Sequence, residues 1–261
     1  MNLQYLKVTR DENLLRVLID RPEKRNALSQ AVLNEIRTVF EHYAADQTLV
    51  AATITGAGER CFAAGGDLRE FDGLRERDAV QAMTRNSAAA LDAIRNFPVP
   101  VIGLLNGDAL GGGAELAVAC DMRVFASHAK MAFVQGTLCI SPAWGGGADL
   151  IRIAGGSQAL RLLSRADLIE PAEALRLGLA DAVADAAGPF ADWVTDYLRP
   201  IKARKPQVMR AFKAMVIQSR RAGDFASMRA QETAALVDTW MHEDHWAAAE
   251  AVLARISGGA K

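Results

Sequence analysis

The residues best suited to chemistry in this chain are one carboxylate and a run of glycines. Gly111, Gly112 and Gly113 follow an apolar stretch at 99–105 that is typical of a buried strand, and good helix formers come after them. Glu115 lies in the first turn of the predicted helix. Glycines have no Cβ, so a ligand can approach their backbone closely, and free N–H groups at a helix start favour a negatively charged oxygen. An anion-stabilising pocket beside an acid or base suits reactions that pass through an enolate.

The same segment also has a purely structural interpretation. Glycine-rich turns before helices are common, and a glutamate in the first helical turn often does no more than offset the helix dipole. Both interpretations stay open on this segment alone, so the elements that would position such a site have to be found in the rest of the chain.

Local patterns predict the elements at the N-terminal side of this segment. Apolar, β-prone runs at 5–9 and 14–19 predict a hairpin. Apolar residues at spacings of three and four from 32 to 43 predict an amphipathic helix with Ser29 as its N-cap. A short buried strand is predicted at 50–55. Strand, helix and strand in this order form the crossover unit expected beside a mainly parallel sheet.

The whole chain divides into an α/β part and a helical part. From Phe190 onward the pattern contains only helix signals, so we predict a core at 1–195 and a C-terminal helical oligomerisation segment at 196–261. Within the core, the pattern also predicts helices at 80–96, 149–153, 157–164 and 172–177, and strands at 122–126 and 131–134.

Composition and charge limit the class of protein. With 51% apolar and 23% charged residues, the chain of 261 residues has the composition of a soluble globular protein with a large core. Its net charge of −1 gives no reason to expect a nucleic-acid or membrane partner, and no apolar run approaches the roughly 20 residues that span a bilayer. Cys61, Cys120 and Cys139 lack metal-ligand spacing and form a poor disulfide framework. Because the N-terminus also does not have the pattern of a signal peptide, we predict a reducing, cytoplasmic location.

The glycine segment resembles the signature of the enoyl-CoA hydratase/isomerase (crotonase) superfamily, and the similarity covers nearly the whole chain. The loop 21–28 is similar to the family loop that holds the nucleotide and phosphates of coenzyme A. The run 62–68 looks like the loop that supplies the first N–H group of an oxyanion hole, by position Gly66, and Gly112 would supply the second. The stretch 172–179 resembles a further stretch of the family that is structural.

The resemblance implies a crotonase-like α/β fold of repeated ββα turns, whose C-terminal helices pack against neighbouring subunits in a homotrimer or a dimer of trimers. It implies an acyl-CoA thioester as the substrate, with no metal and no cofactor, because coenzyme A is part of the substrate. Glu115, Gly66 and Gly112 would be the catalytic residues. The expected substrate-binding residues are Lys24, Arg25, Ala27, Ala64, Asp67, Leu68, Gln135 and Trp144.

One position departs from the hydratases of the family, which carry a second catalytic glutamate. Counting back from Pro142, Gln135 takes the place of that glutamate, and a glutamine cannot exchange a proton near neutral pH. The run 133–146 looks most like the ethylmalonyl-CoA/methylmalonyl-CoA decarboxylase branch. Decarboxylation needs an oxyanion hole and a proton donor but no second carboxylate, which would repel the substrate's own carboxylate. We therefore predict a lyase that decarboxylates a short 2-carboxyacyl-CoA.

Three other functions stay open on the sequence. An enoyl-CoA hydratase needs a carboxylate from another segment to enter the site, whereas an enoyl-CoA isomerase can use Glu115 alone to move a proton. The third is a non-catalytic acyl-CoA-binding protein, which would keep the glycine turns but tolerate the loss of Glu115.

Several other residues have a structural interpretation beside a functional one. Trp144 either walls the acyl pocket or packs in the core. The run 242–245 contains two histidines and two acids, but a solvated helix is expected there rather than a metal site. Basic residues between 202 and 213 either contact a coenzyme A phosphate or form a solvated helix face.

Overall fold

The computed structural model of the chain describes residues 1–222, 225–241 and 243–258. The strands are β1 (Leu6–Asp11), β2 (Leu14–Ile19), β3 (Ala51–Gly56), β4 (Cys61–Ala63), β5 (Val101–Leu105), β6 (Asp108–Leu110), β7 (Met122–Phe125), β8 (Met131–Ala132) and β9 (Ala182–Val183). The helices are α1 (Gln30–Tyr43), α2 (Leu68–Phe71), α3 (Arg77–Arg95), α4 (Gly112–Ala119), α5 (Gly146–Ala154), α6 (Gly156–Arg165), α7 (Pro171–Arg176), α8 (Phe190–Lys202), α9 (Pro206–Ala222), α10 (Phe225–Trp240) and α11 (Glu243–Gly258).

The strands of this α/β fold form two sheets. A six-stranded sheet has the order β1-β2-β3-β5-β7-β9, and a three-stranded sheet has the order β4-β6-β8. The β1–β2 hairpin is antiparallel, and all other strand pairs in the two sheets are parallel. Because parallel neighbours end at the same edge of a sheet, the turns that follow β4 and β6 are brought side by side.

The N-terminal elements follow the sequence pattern. β1 and β2 pair from Leu6 with Ile19 to Asp11 with Leu14, which confirms the predicted hairpin. The Ser29 side chain accepts a hydrogen bond from the Val32 N–H at 3.2 Å and caps α1, as predicted. The apolar face of α1 is buried and packs against α3.

Two strands of the three-stranded sheet, β4 and β6, are not predicted by the sequence pattern, whereas β8 lies within the strand predicted at 131–134. The two missed strands have only three residues each, which is too short for a strand periodicity to be recognised. One of them, β6, lies between β5 and α4, where the sequence predicted a tight turn alone. This insertion places α4 beside β4 and β6.

Helix α4 is the centre of the molecule. All eight of its residues are buried, including Glu115, and a helix that is apolar on every side belongs in the interior of a domain. It packs against the strands β4, β6 and β7 and against the helices α3 and α5. Its burial is the reason that the one carboxylate on this helix lies in an apolar environment.

The C-terminal helices pack back on the α/β part of the same chain. Helix α10 lies against α3 and α5, and α11 lies against α2 and the 3₁₀ turn Val134–Leu138. The proposed domain boundary after residue 195 falls within α8. In the described ranges, no helix is both long and apolar enough to cross a membrane.

Among the basic residues between 202 and 213, Lys202, Arg210 and Lys213 make ion pairs or hydrogen bonds within the chain, whereas Arg204 and Lys205 are exposed. Lys202 pairs with Asp11 at 3.1 Å on the hairpin. Lys213 is 1% exposed and pairs with Asp121 at the end of α4. These contacts attach α8 and α9 to the core and differ from the solvated helix face considered above.

Candidate active site

The two glycine turns meet at the start of α4. The first turn follows β4 and contains Ala64, Gly65 and Gly66, and the second follows β6 and ends at Gly112. A Cβ atom added to Gly65 would lie 3.6 Å from the Gly112 nitrogen, so the two backbones are in contact. The sequence predicted that two separate glycine turns would converge, and the parallel pairing of β4 with β6 is what brings them together.

The backbone N–H groups of Gly66 and Gly112 are available to a ligand. Gly112 is the first residue of α4, a position whose N–H has no acceptor within the helix. Among the described residues, neither N–H donates to another backbone group. Both glycines adjoin the indole ring of Trp144: a Cβ on Gly66 would lie 3.7 Å from the ring, and one on Gly112 would overlap it. Two free donors from turns that lie in contact can bind one oxygen atom.

Three hydrogen bonds hold the Glu115 carboxylate in the cavity that Gly66 and Gly112 also line. Its Oε2 accepts from the backbone N–H groups of Trp144 (2.8 Å) and Gly146 (3.0 Å), and its Oε1 accepts from the Gln135 side-chain Nε2 (3.0 Å). The side chain is 3% exposed. Burial raises the pKa of Glu115 above that of an ordinary glutamate, although the three hydrogen bonds and Arg95 oppose this rise. A carboxyl group of this kind can keep a proton for transfer at a higher pH than usual.

The loop that donates to Glu115 is fixed from behind by a buried cation. Arg95 at the end of α3 is 2% exposed and donates to the Trp144 carbonyl oxygen at 3.0 Å. Its guanidinium also pairs with the buried Asp149 of α5 at 2.8 Å. Gly146 is the third element of this support, because a Cβ there would overlap the Glu115 side chain. The position of the carboxylate on α4 therefore depends on residues from two other helices, α3 and α5.

Gln135 closes the other side of the carboxylate. Its side chain is 6% exposed, and its Nε2 faces Glu115, as described above. Its Oε1 is buried and has no hydrogen-bond partner in the described part of the chain. The position predicted from Pro142 is therefore in direct contact with the proposed catalytic residue. It brings an amide there instead of a second carboxylate.

These residues surround a cavity of about 120 Å³. This volume is well above the roughly 10–15 Å³ that a single water molecule needs, so the cavity has room for a small ligand group. In the part of the chain that the structure describes, Glu115 is the only ionisable side chain that lines it. The apolar side chains of the wall include Leu68, Phe71, Met83, Val134, Leu138, Ile140, Trp144, Leu236 and Trp240.

A second cavity, of about 230 Å³, adjoins the first and shares Ala64, Gly66 and Leu68 with it. The predicted substrate-binding residues that do not line the first cavity all line the second. They are Lys24, Arg25, Ala27 and Asp67. Three basic side chains, of Lys24, Arg25 and Arg69, line this outer cavity together with the acidic side chains of Glu23 and Asp67.

The loop 21–28 is tied to the first glycine turn. The buried Asn26 side chain donates to the Cys61 carbonyl oxygen at 2.8 Å, and the Ala64 N–H donates to the Arg25 carbonyl oxygen at 3.1 Å. Asp67 pairs with Arg21 at 3.1 Å. The structure thus gives the Asp67 carboxylate an anchoring contact between the two loops, in addition to its place on the cavity wall.

The sequence did not single out the C-terminal residues at this site. Leu236 and Trp240 of α10 line the inner cavity, and the Trp240 indole N–H donates to the Leu74 carbonyl oxygen at 2.9 Å. Their spacing of four residues marks one face of a helix, but nothing local says what that face covers.

The acidic and histidine-rich run at 242–245 lies next to this part of the site. Its first residue, His242, lies outside the described residues. His245 is buried, packs against Trp240 and contacts the Leu138 carbonyl oxygen at 2.7 Å through Nδ1. Among the described residues, no group of three or more histidine, cysteine or acidic side chains could hold a metal ion.

Comparison with known proteins agrees with this geometry. The family model described as enoyl-CoA hydratase/isomerase matches residues 9–253. The chain is 35% identical over 185 residues to a crotonyl-CoA hydratase of Syntrophomonas wolfei, covering 70% of each protein. It is 30% identical over 215 residues to an ethylmalonyl-CoA decarboxylase of Xenopus laevis, covering 80% of this chain and 70% of that one.

Among solved structures, an enoyl-CoA hydratase from Bacillus halodurans superposes with a TM-score of 0.87 over 95% of this chain and 100% of its own, at 23% identity. At that identity the likeness concerns the fold, and it confirms the predicted crotonase-like architecture. The match of the family model over most of the chain goes further, because it includes both glycine turns and Glu115. The chain therefore belongs to the enoyl-CoA hydratase/isomerase family.

Proposed function

We propose that the protein decarboxylates a short 2-carboxyacyl-CoA thioester. The thioester oxygen accepts hydrogen bonds from the Gly66 and Gly112 N–H groups. The bond between the α-carbon and the carboxylate then breaks, and carbon dioxide leaves. The electron pair of that bond stays with the acyl group as an enolate, which the two donors stabilise. Glu115, or a water molecule that it holds, delivers a proton to the α-carbon and recovers one from solvent.

The observation that carries this proposal is the contact between Gln135 and Glu115. The amide occupies the place from which a second acid would act, and it lies 3.0 Å from the one carboxylate of the cavity. Hydration needs one group to activate water and one to handle the α-proton, whereas decarboxylation needs a single proton donor. The raised pKa of Glu115 and the small cavity support a proton donor that serves a short acyl chain.

An enoyl-CoA hydratase is the second candidate, and the 35% identity to a crotonyl-CoA hydratase favours it. An enoyl-CoA isomerase that uses Glu115 alone is a further candidate, and a non-catalytic acyl-CoA-binding protein is the most remote one. Hydration would require another ionisable group in the inner cavity, and Glu115 alone lines it in the described ranges. The 30% identity to an ethylmalonyl-CoA decarboxylase supports the first candidate to a similar extent.

Parallel assays on crotonyl-CoA, ethylmalonyl-CoA and methylmalonyl-CoA separate these functions. We expect carbon dioxide from at least one of the two malonyl thioesters and slow loss of the crotonyl double bond. Rapid hydration of crotonyl-CoA without carbon dioxide release would replace the decarboxylase by the hydratase. Gly112→Pro deletes one oxyanion donor and should abolish turnover in both cases. Binding of acyl-CoA without turnover of any of the three, unchanged by Glu115→Gln, would favour the non-catalytic protein.

The proposed assembly is a homotrimer or a dimer of trimers in a reducing cytoplasm. One face of α9 supports an interface between subunits, because its apolar side chains are exposed in the single chain at spacings of four, three and one. They are Val208, Phe212, Met215 and Val216. Light scattering that gives the mass of a monomer at micromolar concentration would contradict this assembly.

A further inference from the structure

The Gln135 amide has a donor side and an acceptor side, and the protonation state of Glu115 decides which of them it binds. An ionised carboxylate only accepts hydrogen bonds, so Gln135 must turn its NH₂ group toward it. The structure has this arrangement, with Nε2 at 3.0 Å from Glu115 Oε1. The consequence is a buried Oε1 without a partner among the described residues. An unpaired acceptor in this position costs free energy and offers nothing to an incoming carboxylate.

Protonation of Glu115 favours the reverse arrangement. Its O–H group can donate to Gln135 Oε1 once the amide turns by half a rotation about its last bond. Gln135 Oε1 then has a partner, and the NH₂ group takes the place of Oε1, from which it can donate to a ligand that enters the cavity lined by Gln135. The free side of the amide is thus an acceptor when Glu115 is charged and a donor when it is neutral.

We propose that Gln135 is a proton-linked positioning residue, which binds the carboxylate of a 2-carboxyacyl-CoA only when Glu115 carries the proton that the enolate will receive. This inference rests on the proposed decarboxylation. Decarboxylation requires that the departing carboxylate is bound and that a proton is ready to take its place on the α-carbon. In this inference the Gln135 amide couples these two requirements.

The charges around Glu115 fit this linkage. Arg95 on α3 is the cation nearest behind the loop that holds Glu115, and it is paired with Asp149 on α5 at 2.8 Å and with Asp92 on its own helix at 3.1 Å. No other ionisable side chain lines the inner cavity in the described ranges. Burial already raises the pKa of Glu115, and a substrate carboxylate beside it raises it further, because two neighbouring carboxylates do not readily stay ionised together.

A different arrangement would need no proton. The NH₂ group has two hydrogens, and one could stay on Glu115 while the other reaches the substrate carboxylate. Both carboxylates would then remain charged in one apolar cavity. The two arrangements differ in a measurable quantity, which is the number of protons taken up when the carboxylated ligand binds.

The test uses two unreactive thioethers of coenzyme A. In 2-carboxybutyl-CoA a methylene group replaces the thioester carbonyl, so no enolate can form, and butyl-CoA is its match without the carboxylate. Calorimetric titration in buffers of different ionisation enthalpy, from about pH 6 to about pH 9, gives affinity and proton uptake together. We expect uptake approaching one proton with 2-carboxybutyl-CoA at the upper end of the range and none with butyl-CoA. Above the pKa of Glu115, affinity for the carboxylated ligand should fall about tenfold per pH unit.

Two variants distinguish the role of Gln135 from simple charge repulsion. Glu115→Gln permanently offers a donor to Gln135 Oε1, so it should bind 2-carboxybutyl-CoA tightly at every pH and without proton uptake. In Gln135→Met, the affinity for 2-carboxybutyl-CoA relative to butyl-CoA at low pH should fall at least about tenfold. Gln47→Met, at an exposed glutamine outside the cavity, should behave as the unchanged protein.

Binding of 2-carboxybutyl-CoA to the unchanged protein without proton uptake at any pH would overturn the inference. A full preference for this ligand in Gln135→Met would overturn it as well. The failure of the proposed function has a separate signature, because carbon dioxide release from ethylmalonyl-CoA is measured independently. Carbon dioxide release without proton-linked binding refutes only the role of Gln135, and proton-linked binding without carbon dioxide release refutes only the decarboxylase.

Discussion

Replacing Glu115 with glutamine should remove the proposed proton donor and also stabilise the folded protein at neutral and higher pH. The new amide oxygen can accept the N–H groups of Trp144 and Gly146, and the new NH₂ group can donate to Gln135 Oε1. Each hydrogen bond of the carboxylate therefore has a counterpart in the variant. Turnover should fall by about 10²–10⁴, the usual contribution of general acid–base catalysis.

The size of the stabilisation follows from the pKa of Glu115. An unfolded glutamate has a pKa of about 4.3. Burial raises the pKa in the folded protein, so the folded state holds this proton more tightly than the unfolded state does. The stability that the proton provides is complete below about pH 4.3, and it is lost as the pH rises through the folded pKa, at no more than about 1.4 kcal/mol per pH unit. The variant has no such proton and escapes this loss.

Relative to the ionised form of Glu115, the changes in hydrogen bonding nearly cancel. The buried Oε1 of Gln135 gains a partner in the variant, which is worth about 1–3 kcal/mol. Two N–H groups exchange a charged acceptor for a neutral one, which costs about 1 kcal/mol each. The reasoning is therefore tested by comparing the free energy of unfolding of the variant with that of the unchanged protein at different pH values.

Urea unfolding at one protein concentration, at about pH 5 and about pH 8, measures this difference. We expect the free energy of unfolding of Glu115→Gln to exceed that of the unchanged protein by at least about 1 kcal/mol more at the higher pH than at the lower pH. Glu59→Gln, at an exposed glutamate that does not line the cavity, controls for the chemistry of the exchange. An advantage that stays constant with pH, or that shrinks as the pH rises, would refute a raised pKa at Glu115.

Three further predictions concern the support and the wall of the site. Gly146→Ala should lower turnover of ethylmalonyl-CoA about tenfold or more, because the added methyl group would overlap the Glu115 side chain, whereas Gly73→Ala has open space and should change little. Arg95→Met should reduce the free energy of unfolding in urea by about 3–5 kcal/mol, since the buried Asp149 loses the guanidinium at 2.8 Å. Trp240→Leu should shift kcat/KM toward longer acyl chains by about tenfold or more, because this indole closes part of the inner cavity.

The sequence predicted those parts of the fold that depend on local patterns. The hairpin at β1 and β2, the Ser29 cap of α1 and the helix α7 each follow from a few neighbouring residues. In the three-stranded sheet, β8 falls within the predicted strand at 131–134, but β4 and β6 were not predicted, because strands of three residues carry no usable periodicity. Pairing between them is decided by distant segments, and this pairing is what aligns the two glycine turns.

The same distinction applies to the candidate site. Counting from Pro142 placed Gln135 at the position of a second acid, and the structure puts its amide in contact with Glu115. The sequence could not show that the amide oxygen is left unpaired, or that Trp240 closes the cavity from a helix more than a hundred residues away. Both facts depend on how helices pack, which a single sequence does not report.

The choice of an amide at position 135 determines how much charge the inner cavity can accept. A carboxylate there would stand about 3 Å from Glu115, and at an effective dielectric constant of about 20 the repulsion would be about 5–6 kcal/mol. A substrate carboxylate in the same small space would add a third negative charge. With Gln135, one ionisable group lines the cavity in the described part of the chain, and the arginine behind it is already paired with Asp149 and Asp92. These electrostatics support the proposed decarboxylation, in which the substrate brings its own carboxylate and the protein supplies one acid.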